Sequence, residues 1–400
     1  MEKTKFKSTY CLILAFIVSA FTGLSTLYLF NRFVYSKFVS DFPAHISSAV
    51  TENGYSFMHI LLKFTFNIFK NLTAISVLMS VITVLTVFVA AYLFKTIIKT
   101  VSNGKYNTDT FRFYAFSIVL SALSLFISNI YIPEYWEHYY VGQSTVTQPW
   151  HNSTYILMRL FALAVLAVYF VIQQRYYKQK ISVGYYIVFL ILLALTNFAK
   201  PNFSMAFAPI MLLVLLWDFC ATKAKSFLNA LLFGVCVLIS FFPILFQTNS
   251  LYGGADGSSI VMSADKYLSF TAEKSYMYSL FADLLFPLLA AIIILVYYLK
   301  CKDISLRIFF TTWGFYVLGV LEALFIAETG PRATHGNFGW GQYFFGLLLY
   351  LVSIAYLTII AKKKKEVYFT FIIYGLNIIS GIFYFCSLCG IYGEYNNFLI

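Results

Sequence analysis

Apolar residues run through this chain in long blocks rather than in short periods. Blocks of about 20 mostly apolar residues, the length a helix needs to cross a bilayer, lie near 9–30, 71–94, 112–132, 154–174, 183–199, 203–220, 227–247, 280–299, 308–327, 343–361 and 367–391. The pattern predicts an all-α polytopic membrane protein of about eleven transmembrane helices, forming one transmembrane domain over residues 1–400. The first block follows basic residues and passes Val18-Ser19-Ala20, as a secretory signal would. It stays apolar to Phe30, too long for a signal core, and reads as a retained first helix.

Composition and charge add an orientation. The chain is 60% hydrophobic and 11% charged, with a mean hydropathy of +0.78, well above the roughly 45–50% apolar content of a soluble domain. Alternate connections hold Lys3 to Lys7, Lys95 to Arg112, Arg175 to Lys180, Lys223 and Lys225, Lys300 to Arg307, and Lys362 to Lys365, which is 19 of the 28 basic residues. Positive charge collects on the cytoplasmic side, so the N-terminus is expected inside and the C-terminus outside. The net charge of +12 is largely this topological signal and implies no nucleic-acid partner. No Walker loop, nucleotide-binding glycine fingerprint or soluble domain is present, which argues against ATP-driven transport by this chain alone. The Cys386-x-x-Cys389 pair has no second pair or nearby histidine, so it reads as small packing residues in an apolar helix.

The expected outer segments are 31–70, 133–153, 248–279 and 328–342. They hold Asp41, Glu52, Glu134, Glu137, Asp256, Asp265, Glu273 and Glu328, and all five histidines: His45, His59, His138, His151 and His335. Any chemistry therefore faces outward. In the first segment, Asp41 is placed to cap a short helix with Pro43 in its first turn. Asp41, His45, Ser48 and Glu52 then fall on one side. A carboxylate and an imidazole one turn apart suit proton abstraction, or supply two ligands to a metal. After Gly54, the stretch Tyr55–Lys70 sets Ser56, His59, Lys63, Asn67 and Lys70 against an aromatic and aliphatic face. That is the pattern of a helix lying in the membrane interface.

Four later segments add candidates. Trp150 and His151 end an aromatic, polar stretch of the kind that stacks on sugar rings, or that forms an interfacial belt. Arg159 falls inside the fourth block, where an ionisable residue is a functional hypothesis by default. Lys200 occupies a tight turn between two blocks. Arg332 and His335 lie in the glycine-rich run Thr329–Gln342 as phosphate donors. The segment 248–279, with Gly253-Gly254 and Asp256-Gly257, reads as a flexible lid.

An acidic residue in a long first outer segment, an interfacial helix behind it, about eleven spans and basic residues in later outer turns together resemble the GT-C superfamily of membrane glycosyltransferases. These enzymes use polyprenyl-phosphate-linked sugars. The resemblance implies that Asp41 is the general base on the acceptor hydroxyl, and that Arg159, Lys200, Arg332 and His335 hold the lipid phosphate. His45, His59, Trp150 and His151 are further substrate-binding candidates. It implies a multi-pass protein of the plasma membrane with its active site on the extracytoplasmic face, and a glycan or lipid acceptor. A divalent metal bridging Asp41 and phosphate is compatible with this chemistry, although the ligands are too few to assign one. The chain departs from oligosaccharyltransferases and protein mannosyltransferases in lacking an adjacent acidic pair and a large C-terminal domain. The bias to Lys, Ile, Phe, Tyr and Asn points to a low-GC bacterium and undecaprenyl phosphate. The sequons at Asn71, Asn152 and Asn202 are short enough to arise by chance. Rival expectations are a polysaccharide polymerase or ligase using lipid-linked oligosaccharides, a lipid-glycan transporter or flippase, and a scaffold in which no single polar residue matters.

Overall fold

A computed structural model describes residues 2–38, 40–51, 54–129, 150–175, 181–252, 259–263, 273–333 and 336–391. Glu52, Glu134, Glu137, His138, Asp256, Asp265 and His335 lie outside the described residues. The helices are α1 (Glu2–Val34), α2 (Phe42–Thr51), α3 (Phe57–Phe69), α4 (Leu72–Val101), α5 (Phe111–Ser124), α6 (Ser153–Arg175) and α7 (Val183–Ala199). They continue with α8 (Asn202–Ala221), α9 (Phe227–Ser240), α10 (Phe242–Tyr252), α11 (Glu273–Cys301), α12 (Arg307–Phe325), α13 (Trp340–Ala361) and α14 (Tyr368–Leu388). A short ribbon pairs β1 (Ile260–Met262) antiparallel with β2 (Ile326–Glu328), setting Ile260 opposite Glu328.

Nine helical stretches among the described residues are long and apolar enough to cross a membrane. Of the eleven expected blocks, 112–132 and 183–199 form the shorter helices α5 and α7, of 14 and 17 residues. Large apolar side chains face outward along the bundle, among them Phe16, Leu24, Leu213, Trp217, Leu238, Phe242 and Leu299. Water would not tolerate a belt of this kind, whereas lipid requires it. At the centre stands α13, buried on nearly every side. Its Phe344 and Phe345 stack among Phe203, Phe207 and Phe315, and its Tyr350 stacks on Phe286.

Charged groups segregate to the two ends of this bundle. Lys95 pairs with Asp109 at 2.7 Å, Arg307 with Asp218 and Lys363 with Asp303, and Lys362 lies over the Tyr106 ring. All of these belong to connections that the basic-residue pattern groups together. Four of the six basic connections are thus in mutual contact. At the other end Asp41, Lys200, Glu328 and Arg332 converge.

Two of the expected spans are interrupted, for identifiable reasons. The helix α5 stops at Ser124, and the chain runs on without helix to Asn129 against the middle of α14. Its stranded backbone groups are satisfied by α14: Ser128 N–H donates to the Asn377 carbonyl at 3.1 Å, the Asn377 amide donates to the Ser128 carbonyl at 2.7 Å, and Ser380 donates to the Asn129 carbonyl. Non-helical backbone survives at membrane depth only when protein pairs its polar groups. The block 227–247 breaks at Phe241, where the buried Asn197 amide donates to the Ser240 carbonyl at 2.7 Å. Periodicity alone registers neither break.

Gly381 permits the first of these arrangements. A Cβ there would stand 1.4 Å from the Phe126 carbonyl oxygen, whereas one at Gly375 on the same helix meets nothing within 4 Å. We predict that Gly381→Ala destabilises the protein by about 2 kcal/mol or more through overpacking, whereas Gly375→Ala leaves it unchanged or slightly more stable. Thermal unfolding of the detergent-purified variants, followed by tryptophan fluorescence, checks the pair.

Candidate active site

The site is assembled around the start of α6. Asn152 caps this helix, its Oδ1 accepting the Tyr155 backbone N–H at 2.9 Å and the Thr154 hydroxyl at 2.7 Å. Its Nδ2 donates to Asp41 Oδ2 at 2.8 Å. The next residue, Ser153, pairs its hydroxyl with His45 Nδ1 at 2.9 Å, and Thr154 accepts from Lys200 Nζ at 3.4 Å. Three consecutive residues thus hold three charged or titratable side chains from two other connections. None of the three stood out in the sequence except as a short sequon; the usable signal was an Asn at a helix N-cap directly before an apolar block.

Asp41 sits immediately before α2, as its capping position requires, and its carbonyl accepts the His45 N–H at 2.9 Å. Its own N–H donates to the His151 carbonyl at 3.1 Å, which fixes the first outer segment to the start of α6. In α3, Ser56 and His59 form a reciprocal capping box. The Ser56 N–H donates to His59 Nδ1 at 3.3 Å, so the neutral ring carries its proton on Nε2. The His45 and His59 rings lie 5.3 Å apart. The polar face expected for α3 is only partly turned to solvent: His59 and Thr65 are buried beside Met58 and Leu62, whereas Ile60, Phe64 and Phe69 are exposed. The helix docks by its polar N-terminal turn and offers apolar rings outward, because Ser56 and His59 satisfy each other.

A cavity of about 300 Å³ adjoins this cluster, lined by Tyr55, Thr154, Lys200, Asn202, Gln247, Arg332 and Asn337 on its polar wall and Met205, Ile244, Ile260 and Phe338 on its apolar wall. Glu328 accepts from Arg332 Nε at 2.7 Å and from the Asn337 amide at 2.6 Å, and Asn337 in turn accepts from Asn202. Lys200 also lies over the Trp340 ring, 4.4 Å from its centroid. Asp41 is not on the cavity wall; it is reached through Asn152 and Thr154 and keeps a partly exposed edge.

Burial and charge set the protonation states. Burial pushes Lys200 down to about 8, with Asp41 and Glu328 opposing and Arg332 assisting. Burial likewise lowers His45 to about 3, against the pull of Asp41, and His59 to about 4. His151 is lowered too, again chiefly by burial. For Asp41, burial alone would raise the carboxyl; His151, His45, the Asn152 hydrogen bond and Lys200 outweigh it and hold the group below the ordinary carboxylate range. At neutral pH this leaves an ionised carboxylate, neutral imidazoles and a lysine near its titration point.

Two other candidates, Trp150 and Arg159, lie elsewhere. Trp150 is 1% exposed and packs among Phe30, Phe126 and Phe385, so it is a core ring rather than a sugar-stacking surface. His151 packs on Trp340. Arg159 does not line the cavity; it is buried behind Tyr155, between that ring and Trp150. All six cysteines are free, including Cys386 and Cys389. Among the described residues no group of three or more His, Cys, Asp or Glu side chains converges to hold a metal. Comparison with protein-family models, with curated proteins and with solved structures finds no match.

The Lys200 environment is directly testable. Competitive acetylation across a pH series, read by peptide mass spectrometry, is expected to give Lys200 a midpoint near pH 8, roughly two units below a free lysine. Asp41→Asn removes a charge that raises this value, and is expected to move the midpoint lower still.

Proposed function

We propose that this protein is a membrane glycosyltransferase of the GT-C type. It moves a sugar from a polyprenyl-phosphate donor to an envelope glycan or lipid acceptor on the outer face of the plasma membrane. In this reading α5 and α7 are short crossings, giving eleven in all, with the N-terminus in the cytoplasm. A 17-residue helix spans roughly 25 Å, enough where neighbours thin or shield the bilayer.

The observation that carries the reading is the convergence of the Asp41 carboxylate with Lys200 and the Glu328-paired Arg332 beside a cavity that is polar on one wall and apolar on the other. The amphipathic wall suits a phosphate attached to a lipid. Lys200 and the Nη side of Arg332 receive the donor phosphate; Glu328, bound to Arg332 Nε, orients the fork. As the bond from the sugar C1 to the phosphate oxygen breaks, its electron pair goes to the phosphate, whose growing charge the two cations stabilise. The acceptor hydroxyl forms the new bond to C1 and passes its proton to Asp41. Direct displacement inverts the anomeric centre. Asn152 occupies one oxygen of Asp41 and leaves the other for the acceptor.

A second reading, a lipid-glycan transporter, draws on the interrupted passages at 125–129 and Phe241 and on the buried Glu322, whose Oε2 lies against Gly341. Broken helices and intramembrane ionisable residues are features of transport sites.

The deciding experiment is mass-spectrometric glycan composition of the envelope in a deletion strain complemented with wild type, Asp41→Asn or Lys200→Met at equal membrane abundance. The expected outcome is that the deletion removes a glycosyl unit and neither variant restores it, with turnover in membranes reduced by about 10²-fold or more. Full restoration by Asp41→Asn rejects the base assignment and favours transport. The pH profile supplies a second check. Lys200 loses its charge above pH 8, so donor affinity falls on the alkaline side; Asp41 stays ionised until the pH drops below the ordinary carboxylate range, so the acid limb lies below that range.

A further inference from the structure

Arg159 is the polar group that the chemistry above leaves unused. A guanidinium stays charged in proteins, and burying it without a counter-ion carries a desolvation cost that ring faces offset only in part. Here the side chain is 1% exposed, two turns below the start of α6. Its guanidinium lies 5.2 Å from the Trp150 centroid and 5.9 Å from that of Tyr155. Among the described residues its Nε and Nη2 have no acceptor, and the Trp150 indole N–H and the Tyr155 hydroxyl have no partner. The neighbourhood therefore offers several donors and a fixed positive charge with nothing to receive them. A guanidinium fork matches phosphate and carboxylate geometry, so an oxyanion beside Arg159 would receive its Nε and Nη2, with the neighbouring indole N–H and hydroxyl as further donors.

This position is separate from the cavity. Lys200 lies over Trp340, Trp340 packs on Tyr155 at 5.4 Å, and Tyr155 faces Arg159. Arg159 is not among the residues that line the cavity, and two rings connect it to Lys200, so it is assigned a phosphate of its own.

We propose that Arg159, the Trp150 indole N–H and the Tyr155 hydroxyl form a second phosphoryl-binding site, and that it receives the phosphate of a lipid-linked acceptor. The assignment of the ligand rests on the glycosyltransfer reading; the anion site itself does not. Two separate phosphoryl positions suit a reaction in which both substrates are phosphate esters of lipids. The acceptor phosphate is only held, and no bond to it breaks.

The test uses the full-length protein in detergent and inorganic pyrophosphate as the probe, with binding stoichiometry measured by equilibrium dialysis. Wild type is expected to bind two equivalents, and Arg159→Met and Lys200→Met one each. Removing an uncompensated buried charge is also expected to raise the melting temperature of ligand-free Arg159→Met by a few degrees. If that variant does not fold, Arg159→Lys keeps the charge without the fork and should bind at that position roughly tenfold more weakly. The proposal is overturned if Arg159→Met still binds two equivalents, if Arg159→Lys binds there as tightly as wild type, or if the melting temperature of Arg159→Met falls with binding unchanged. Loss of one equivalent in Arg159→Met but none in Lys200→Met would leave this site standing and reject the donor-phosphate assignment instead. Displacement of one equivalent by phosphatidylglycerol added to the micelles identifies a bilayer headgroup as the ligand, and the acceptor assignment then falls.

Discussion

The cap at the start of α6 is the interaction on which the site depends. A helix that begins near the membrane surface presents unpaired N–H groups, and Asn152 satisfies one of them through Tyr155 while its amide holds Asp41. An N-cap of this type is worth about 1 kcal/mol to the helix. Its larger effect is positional, because the same three residues that start the helix also reach His45 and Lys200. The first outer segment is therefore fastened to the start of α6 three times, by the Asp41 N–H on the His151 carbonyl, by the carboxylate on Asn152 and by His45 on Ser153. Stability of the helix end and geometry of the carboxylate are one arrangement.

The same economy governs the rest of the bundle. Where the chain departs from helix inside the apolar region, an amide side chain from another helix takes up the loose carbonyl: Asn377 for Ser128, Asn197 for Ser240, Gln247 for Phe198. These buried amides would be costly alone. Paired to backbone, they set where each helix stops, and so decide how the polar ends of α7 and α10 border the cavity. Arg159 departs from this rule: among the described residues its Nε and Nη2 have no acceptor, and its guanidinium lies near the Trp150 and Tyr155 rings.

Hydropathy made the helical runs legible, and the distribution of Lys and Arg predicted which connections share an end. The capping position of Asp41 and the polar periodicity of Tyr55–Lys70 predicted two helices that the structure contains, because both are relations between near neighbours. Long-range pairing was not legible in the same way. Trp150 reads equally as belt, sugar platform or core until Phe30, Phe126 and Phe385 are placed around it. Arg159 and Lys200 look alike as cations outside the inner connections, although Lys200 lines a cavity and Arg159 does not. The break after α5 was hidden because Ile127, Ser128 and Asn129 follow an apolar run, and only Gly381 and Asn377, some 250 residues later, make the unwound path affordable.

The protonation pattern follows from this placement rather than from residue type. Five polar connections meet in a small volume, so desolvation acts on every group, and the charges present decide which ones yield. The imidazoles give up their protons first, chiefly because burial disfavours their charged form, with Lys200 adding to it. Lys200 keeps its charge near neutrality only because Asp41 and Glu328 offset its burial. Asp41 in turn stays ionised because Asn152 and the neighbouring nitrogen groups outweigh its burial. Carboxylate and lysine are thus mutually dependent: removing either shifts the other toward its neutral form. A site built this way is poised to accept a further anion beside Lys200, since the incoming charge would restore the full protonation that burial weakens.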